Sequence, residues 1–246
     1  MLVALCAVLG AALGAVTPRL AYRLSVDYGA PPRSACANCA TPFAPGLPGW
    51  VRVTARCPQC RARQSLPVWV TVPIGAACFG LVGWAVEPVA WLPPYLVLVG
   101  IGLVLAAIDV ACLRLPDPLV GAAFAVALGW FAAVSLVEDR WGDLGRAALG
   151  AGLSAVGYLV LALLPGSNLG FGDVKLAGVL GFLLGWLGWL PVLLGLVLPH
   201  LINGPVALGL LLTRRAGRRS DLPLGPAMLA GALLAIASRK VTQSAI

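Results

Sequence analysis

The sequence predicts an all-α polytopic membrane protein of about eight transmembrane helices with a small cytoplasmic four-cysteine zinc-binding domain. Three observations carry that expectation. The 246 residues are 60% hydrophobic, with a mean hydropathy of +0.95. Only 11% are charged, against roughly 25% in a soluble domain. Four of the seven cysteines stand as two C-x-x-C pairs inside the one sizeable polar stretch.

Residues 1–17 form the first expected helix. Leu2 to Val16 is apolar, and no basic residue precedes it, so the run is read as a retained membrane helix and not as a cleaved secretory leader. Residues 18–67 turn polar, with Pro31, Pro32, Pro42, Pro45 and Pro48 and arginines at 33, 52, 56, 61 and 63, and are read as the extramembrane domain. Apolar runs then recur at about 68–86, 92–108, 118–137, 144–164, 175–190, 191–212 and 222–237, giving a seven-helix core over 68–238 and a short tail over 239–246. A span needs about 20 apolar residues to cross about 30 Å of hydrocarbon, and several of these runs are near the lower limit. Trp189-Leu190-Pro191 is read as a turn or a kink between two of them.

Charge sets the orientation. Seventeen Lys and Arg against nine Asp and Glu give a net charge of +8, which in a polytopic chain reflects cytoplasmic loops; the partner expected is the bilayer, not nucleic acid. With the arginine-rich domain in the cytoplasm, alternation places loops 109–117, 165–175 and 213–221 on the same side. The last holds Arg214, Arg215, Arg218 and Arg219, a cluster that topology alone explains. Glu87 and the turn Glu138 to Asp143 fall on the other side, and so, against the rule, do Arg239 and Lys240.

Cys36-Ala37-Asn38-Cys39 and Cys57-Pro58-Gln59-Cys60 are separated by 17 residues, the spacing of a tetrahedral zinc site. Four thiolates close the coordination sphere, so the zinc expected here is structural. A disulfide framework is the competing reading, and a reducing compartment disfavours it. Cys6, Cys78 and Cys112 lie in apolar runs and read as packed thiols.

Asp109 ends an apolar run, where an ionisable group is costly and therefore a functional candidate. Asp117, between Pro116 and Pro118, reads first as a solvated turn or a helix cap. Gly170-Phe171-Gly172-Asp173 brings a second carboxylate to a point where two glycines let the backbone turn just before a helix resumes. Two aspartates from different helices, on one predicted side, are the parts needed for acid–base hydrolysis without a catalytic metal: held close, they share one proton and titrate as a pair. Lys175 is read equally as a charge partner or as a snorkelling interfacial lysine, and His200, the only histidine, as a helix-packing residue. One histidine without a serine elbow leaves no basis for a Ser-His triad, and neither a Walker A loop nor HExxH occurs.

These residues resemble the type IV prepilin peptidases. The stretch from Asp109 to Leu115-Pro116-Asp117 resembles the family's first aspartate motif, and Gly170 to Lys175 its Gly-x-Gly-Asp-x-Lys motif. The two C-x-x-C knuckles and Leu222-Pro223-Leu224-Gly225-Pro226 follow the family's order. The resemblance implies that Asp109 and Asp173 are catalytic, that the four cysteines bind zinc, and that the short basic leader of a prepilin or pseudopilin is cleaved at the cytoplasmic face. Many members also N-methylate the new N-terminus with S-adenosylmethionine. Gly10, Gly14 and Tyr22-Arg23-Leu24 resemble the elements associated with that step. However, Ala15-Val16-Thr17-Pro18 replaces the usual Ser-Phe-x-Asn and Ser25 replaces a proline, so S-adenosylmethionine is expected only if methylation is retained despite these departures. The alternative is a transporter or scaffold with a zinc domain; it requires inverted repeats, and none is found in the sequence.

Overall fold

The computed structural model describes residues 1–165, 167, 169–213 and 222–244; the basic loop at 214–219 lies outside them. The elements in chain order are α1 (Leu2–Leu24), α2 (Leu47–Trp50), α3 (Val68–Ala85), α4 (Leu92–Cys112), α5 (Asp117–Glu138), α6 (Trp141–Leu163), α7 (Phe171–Leu187), α8 (Trp189–Leu212) and α9 (Gly225–Ser244). Among the described residues there is no strand, only two isolated bridges in the cysteine domain. Among the described residues, six helices are long and apolar enough to cross a membrane: α1, α3, α4, α5, α6 and α8. The α7 helix, at 17 residues, is the centre of the bundle, with Leu176, Ala177 and every residue from Val179 to Leu187 buried. A helix that is apolar all round and sheathed by its neighbours need not match the thickness of lipid.

Helix boundaries depart from the sequence expectation where polar contacts override hydropathy. The first helix does not stop at residue 17; it absorbs Pro18 and runs to Leu24, carrying Arg19, Tyr22 and Arg23 out to the cysteine domain. At the other end of the chain α9 continues through the expected tail to Ser244. The α7 helix starts at Phe171, not at 175, so the Gly-x-Gly-Asp motif is its first turn. Gly188, at φ +143°, breaks the chain between α7 and α8, so Trp189 to Pro191 begin a new helix after a turn, with no kink.

Close backbone approach holds α1 on α3. A Cβ on Gly10 would lie 2.1 Å from the Gly75 carbonyl oxygen, and one on Gly14 2.2 Å from that of Thr71, so only glycine permits this contact. Aromatic packing joins α4, α5 and α7: Phe131 stacks on Trp186 at 4.1 Å, and the Tyr95 hydroxyl donates to the Leu183 carbonyl at 2.7 Å. The end of the bundle away from the cysteine domain gathers the charges that seemed misplaced in the sequence. Lys240 pairs with Glu87 at 2.6 Å, Arg239 lies over Trp91, and Asp143 pairs with Arg140 and Arg146. Arg239 and Lys240 are thus matched by acidic and aromatic partners on their own side.

Candidate active site

Alternation of the helices returns three segments to the end that bears the cysteine domain, and there they enclose a cleft of about 760 Å³. Its walls are the strap of residues 24–32, the α4–α5 connection, and the start of α7. Asp109, Pro116, Asp117, Gly170, Gly172, Asp173 and Lys175 all line it. His200 does not line this cleft; its ring meets Tyr158 edge-on at 5.5 Å, a helix-packing contact.

Asp109 is only 4% exposed. Its helix is closed one turn later by Leu113, which at φ +55° takes the left-handed conformation and donates its N–H to the Asp109 carbonyl at 2.8 Å. A leucine there costs about 1–2 kcal/mol of backbone strain, so the surrounding packing must impose this stop. The side-chain Oδ2 accepts the Gly225 N–H at 2.8 Å. Asp173 is the third residue of α7 and its Oδ2 accepts the Gly170 N–H at 3.1 Å, the return bond of a capping box. Among the described residues no hydrogen-bond partner meets the other oxygen of either carboxylate. Each aspartate is held by one backbone donor and has a second oxygen available to a ligand.

Leu115 is the spacer between these parts. A Cβ on Gly172 would lie 3.1 Å from Leu115 Cβ, and one on Gly225 would lie 3.3 Å from Leu115 Cδ2 and 2.8 Å from Asp109 Oδ2. Both glycines therefore allow three backbone segments to converge on one side chain. Lys175 donates to Asp117 at 2.7 Å across the cleft wall, which makes it a charge partner. Asp117 itself is the first residue of α5, with Pro116 in the cap position, so it makes no side-chain cap.

The cysteine domain is fastened to the extension of α1. Arg19, 2% exposed, donates to the Gly49 carbonyl and to Gln64 Oε1, and its guanidinium lies 3.7 Å from the centre of the Phe43 ring. The Tyr22 hydroxyl accepts the Ala37 N–H at 2.9 Å, and Arg23 stacks on Trp50. Within the domain the two knuckles repeat one geometry, with Ala40 and Arg61 both left-handed and donating to the Cys36 and Cys57 carbonyls. The donor atoms of Cys36, Cys39, Cys57 and Cys60 lie within 4.8 Å of one another, an arrangement that can hold a metal ion. The Cys36–Cys60 and Cys39–Cys57 sulfurs are 3.8 and 3.6 Å apart, far beyond a disulfide bond. The backbone N–H groups of Asn38 and Cys39 pull the Cys36 thiol down to about 6, toward the thiolate that a metal needs.

Residues 96–208 match the type IV leader peptidase family. The chain is 30% identical over 207 residues to the prepilin leader peptidase/N-methyltransferase of Aeromonas salmonicida strain A449, an alignment covering 79% of this chain and 67% of that protein. The protein of the same name from Aeromonas hydrophila is also 30% identical, over 79% of this chain and 68% of its own length. The chain belongs to the type IV leader peptidase family. A further prepilin leader peptidase/N-methyltransferase, from Bacillus subtilis strain 168, is 28% identical over 83% of this chain and 81% of its own length. No solved structure matches the chain at a significant level. The matched interval of this family member includes Asp109, Asp173 and Lys175, whereas the four cysteines and Gly225 lie outside it. Gly225 is the residue whose part sequence reading did not assign. The motif Leu222 to Pro226 drew attention to the segment, but a backbone N–H has no signature in side-chain identity.

Proposed function

We propose that this protein is a membrane aspartyl endopeptidase that removes the short basic leader peptide of type IV prepilins or pseudopilins, with Asp109 and Asp173 as the catalytic pair. The observation that carries this reading is the single cleft in which each aspartate is anchored through one oxygen and keeps the other for a ligand. A water placed between those oxygens loses a proton to one carboxylate as its oxygen attacks the scissile carbonyl. The other aspartate, protonated, donates a hydrogen bond to the carbonyl oxygen. When the tetrahedral intermediate collapses, the C–N bond breaks and the leaving amine takes up a proton from the pair. The product is a shortened chain with a free N-terminus and a separate leader.

In this reading residues 18–67 are a cytoplasmic zinc-binding domain, and residues 68–238 the protease core of a multi-pass protein of the cytoplasmic membrane with the cleft facing the cytoplasm. Four zinc–sulfur bonds of about 2.3 Å in a tetrahedron place the sulfurs about 3.8 Å apart. The observed pairs at 3.8 and 3.6 Å fit that donor set. Cys36, Cys39, Cys57 and Cys60 would hold the zinc, which would tie the two knuckles together as a structural ion. Gly10 and Gly14, which resemble the family's N-terminal glycine element, pack closely against Gly75 and Thr71 of α3. The proposal is leader removal; methyl transfer is a separate question, read out by label from the methyl donor.

The test is leader removal from a prepilin-like substrate by the purified protein in detergent or liposomes. Wild type cleaves, while Asp109→Asn and Asp173→Asn, each folded as judged by thermal unfolding, leave the substrate intact. Cleavage at the wild-type rate by either variant overturns the assignment.

A further inference from the structure

The cleft wall contains charged groups that the chemistry above does not use: Asp27, Arg114, Asp117 and Lys175. Residues 24–32 form a strap closed at its base, where the Arg33 N–H donates to the Arg23 carbonyl at 2.8 Å and Arg23 Nε donates to the Arg33 carbonyl at 2.9 Å. Its tip is a turn in which the Ala30 N–H donates to the Asp27 carbonyl, with Gly29 at φ +78°. From that turn Asp27 reaches across the cleft to Arg114 at 3.3 Å, with the aspartate side chain 92% exposed and the arginine 43% exposed. Leu24, Val26, Asp27, Tyr28 and Pro32 line the same cleft as Asp109 and Asp173.

An ion pair so open to water holds a strap only weakly, because exposed pairs contribute little to stability and are screened by salt. It is, however, well placed to be exchanged. The cleft is lined by four carboxylates, Asp27, Asp109, Asp117 and Asp173, against two cations, Arg114 and Lys175, so a cationic guest is favoured. Lys175 is already committed to Asp117 at 2.7 Å, a shorter pair than that of Asp27 with Arg114. The carboxylate most easily vacated is that of Asp27.

We propose that Asp27 is a specificity-determining residue that takes a lysine or arginine side chain of the substrate leader, and that Arg114 occupies this site as an internal stand-in until the substrate displaces it. The inference rests on the peptidase reading and adds to it the residue that reads the leader's charge. No bond is made or broken in the exchange; one guanidinium or ammonium replaces another on the same carboxylate.

A strap pin and an exchangeable cation site predict different outcomes. If the pair merely pins the strap, removing either partner impairs the enzyme in the same direction. If Arg114 competes with substrate, removing the two partners has opposite effects.

The experiment measures KM and kcat of the full-length protein in liposomes on two substrates, one with its basic leader and one whose leader Lys and Arg are replaced by Gln. Asp27→Asn is expected to raise KM for the basic substrate by about three- to fivefold, the scale of an exposed charge pair. Arg114→Gln is expected to lower it by about two- to threefold on the same scale, and neither is expected to move KM for the Gln substrate. Asp27→Lys should fail on the basic leader and recover on a leader carrying Glu. The proposal is overturned if the two neutral variants shift KM in the same direction, if they act equally on both substrates, or if Asp27→Asn leaves KM unchanged. A wild-type protein that cleaves no substrate sinks the peptidase reading and this inference with it, whereas wild-type cleavage with any of those three results sinks the inference alone.

Discussion

Substituting alanine for Gly225 puts the geometry of the aspartate pair to a quantitative test. The added Cβ would fall 2.8 Å from Asp109 Oδ2 and 3.3 Å from its Cγ, whereas ordinary contact begins at 3.4 Å, so the carboxylate must retreat by about 0.6 Å. That movement also stretches the 2.8 Å hydrogen bond from the Gly225 N–H. A displacement near 1 Å at a reacting group costs on the order of a hundredfold, and a bond to a charged group contributes about 1.5–3 kcal/mol. The expected outcome is a fall in kcat of about ten- to a hundredfold, accompanied by a stability loss of about 1–3 kcal/mol from overpacking. Gly170→Ala is the matched control. Its Cβ would stand 3.6 Å from Asp173 Oδ2, in ordinary contact, and its φ of −80° suits any residue, so kcat should stay within about threefold of wild type on the same scale. Single-turnover cleavage at saturating substrate, run beside thermal unfolding in the same detergent, reads both quantities. Wild-type kcat in Gly225→Ala, or a greater loss in Gly170→Ala, would refute the claim that the Gly225 backbone positions Asp109.

Other outcomes follow from the packing. Chelation, or Cys36→Ser with loss of bound metal measured by elemental analysis, should open residues 34–63 to protease, while α7 and its neighbours keep their thermal transition; a simultaneous collapse of both would show that the domains fold as one. Tyr95→Phe removes the donor to the Leu183 carbonyl and leaves a buried acceptor between α4 and α7, for an expected loss of about 1–3 kcal/mol in denaturant unfolding. Gly10→Val forces α1 off Gly75, where even a Cβ would sit at 2.1 Å, so the yield of folded protein by size-exclusion chromatography should drop sharply, whereas Gly121→Val, with open space at its Cβ, should be tolerated.

Hydropathy made the bundle legible, because crossing hydrocarbon demands long apolar helices and the runs are unmistakable. The ends of the helices were less legible for a physical reason: they are decided by individual polar contacts. Arg19, Tyr22 and Arg23 extend α1 past Pro18 because Phe43, Ala37 and Trp50 are there to receive them, and no local pattern announces those partners. The cysteine pairs could be read at once, since two C-x-x-C turns dictate where four sulfurs go. Asp109 and Asp173 stood out through the cost of a carboxylate at the end of an apolar run and through the glycines beside it. Their shared cleft and the Gly225 donor could not be read, because they depend on α9 returning to α4 across 116 residues of chain.

That return also bears on how a buried carboxylate is retained at all. Asp109, nearly inaccessible, has lost much of its hydration, and an unpartnered acceptor in that position costs several kcal/mol. The Gly225 N–H offsets part of that cost, and as the first residue of α9 it brings the positive end of the helix toward the carboxylate. Asp173, in the first turn of α7, stands at the N-terminal end of a second helix. Both carboxylates are thus stabilised through backbone donors at helix starts, with no arginine or lysine paired to either among the described residues. A cationic partner would hold its aspartate ionised and occupy the oxygen that water needs. Backbone donors stabilise the charge while leaving one oxygen of each aspartate open, which is the condition the proposed acid–base pair requires.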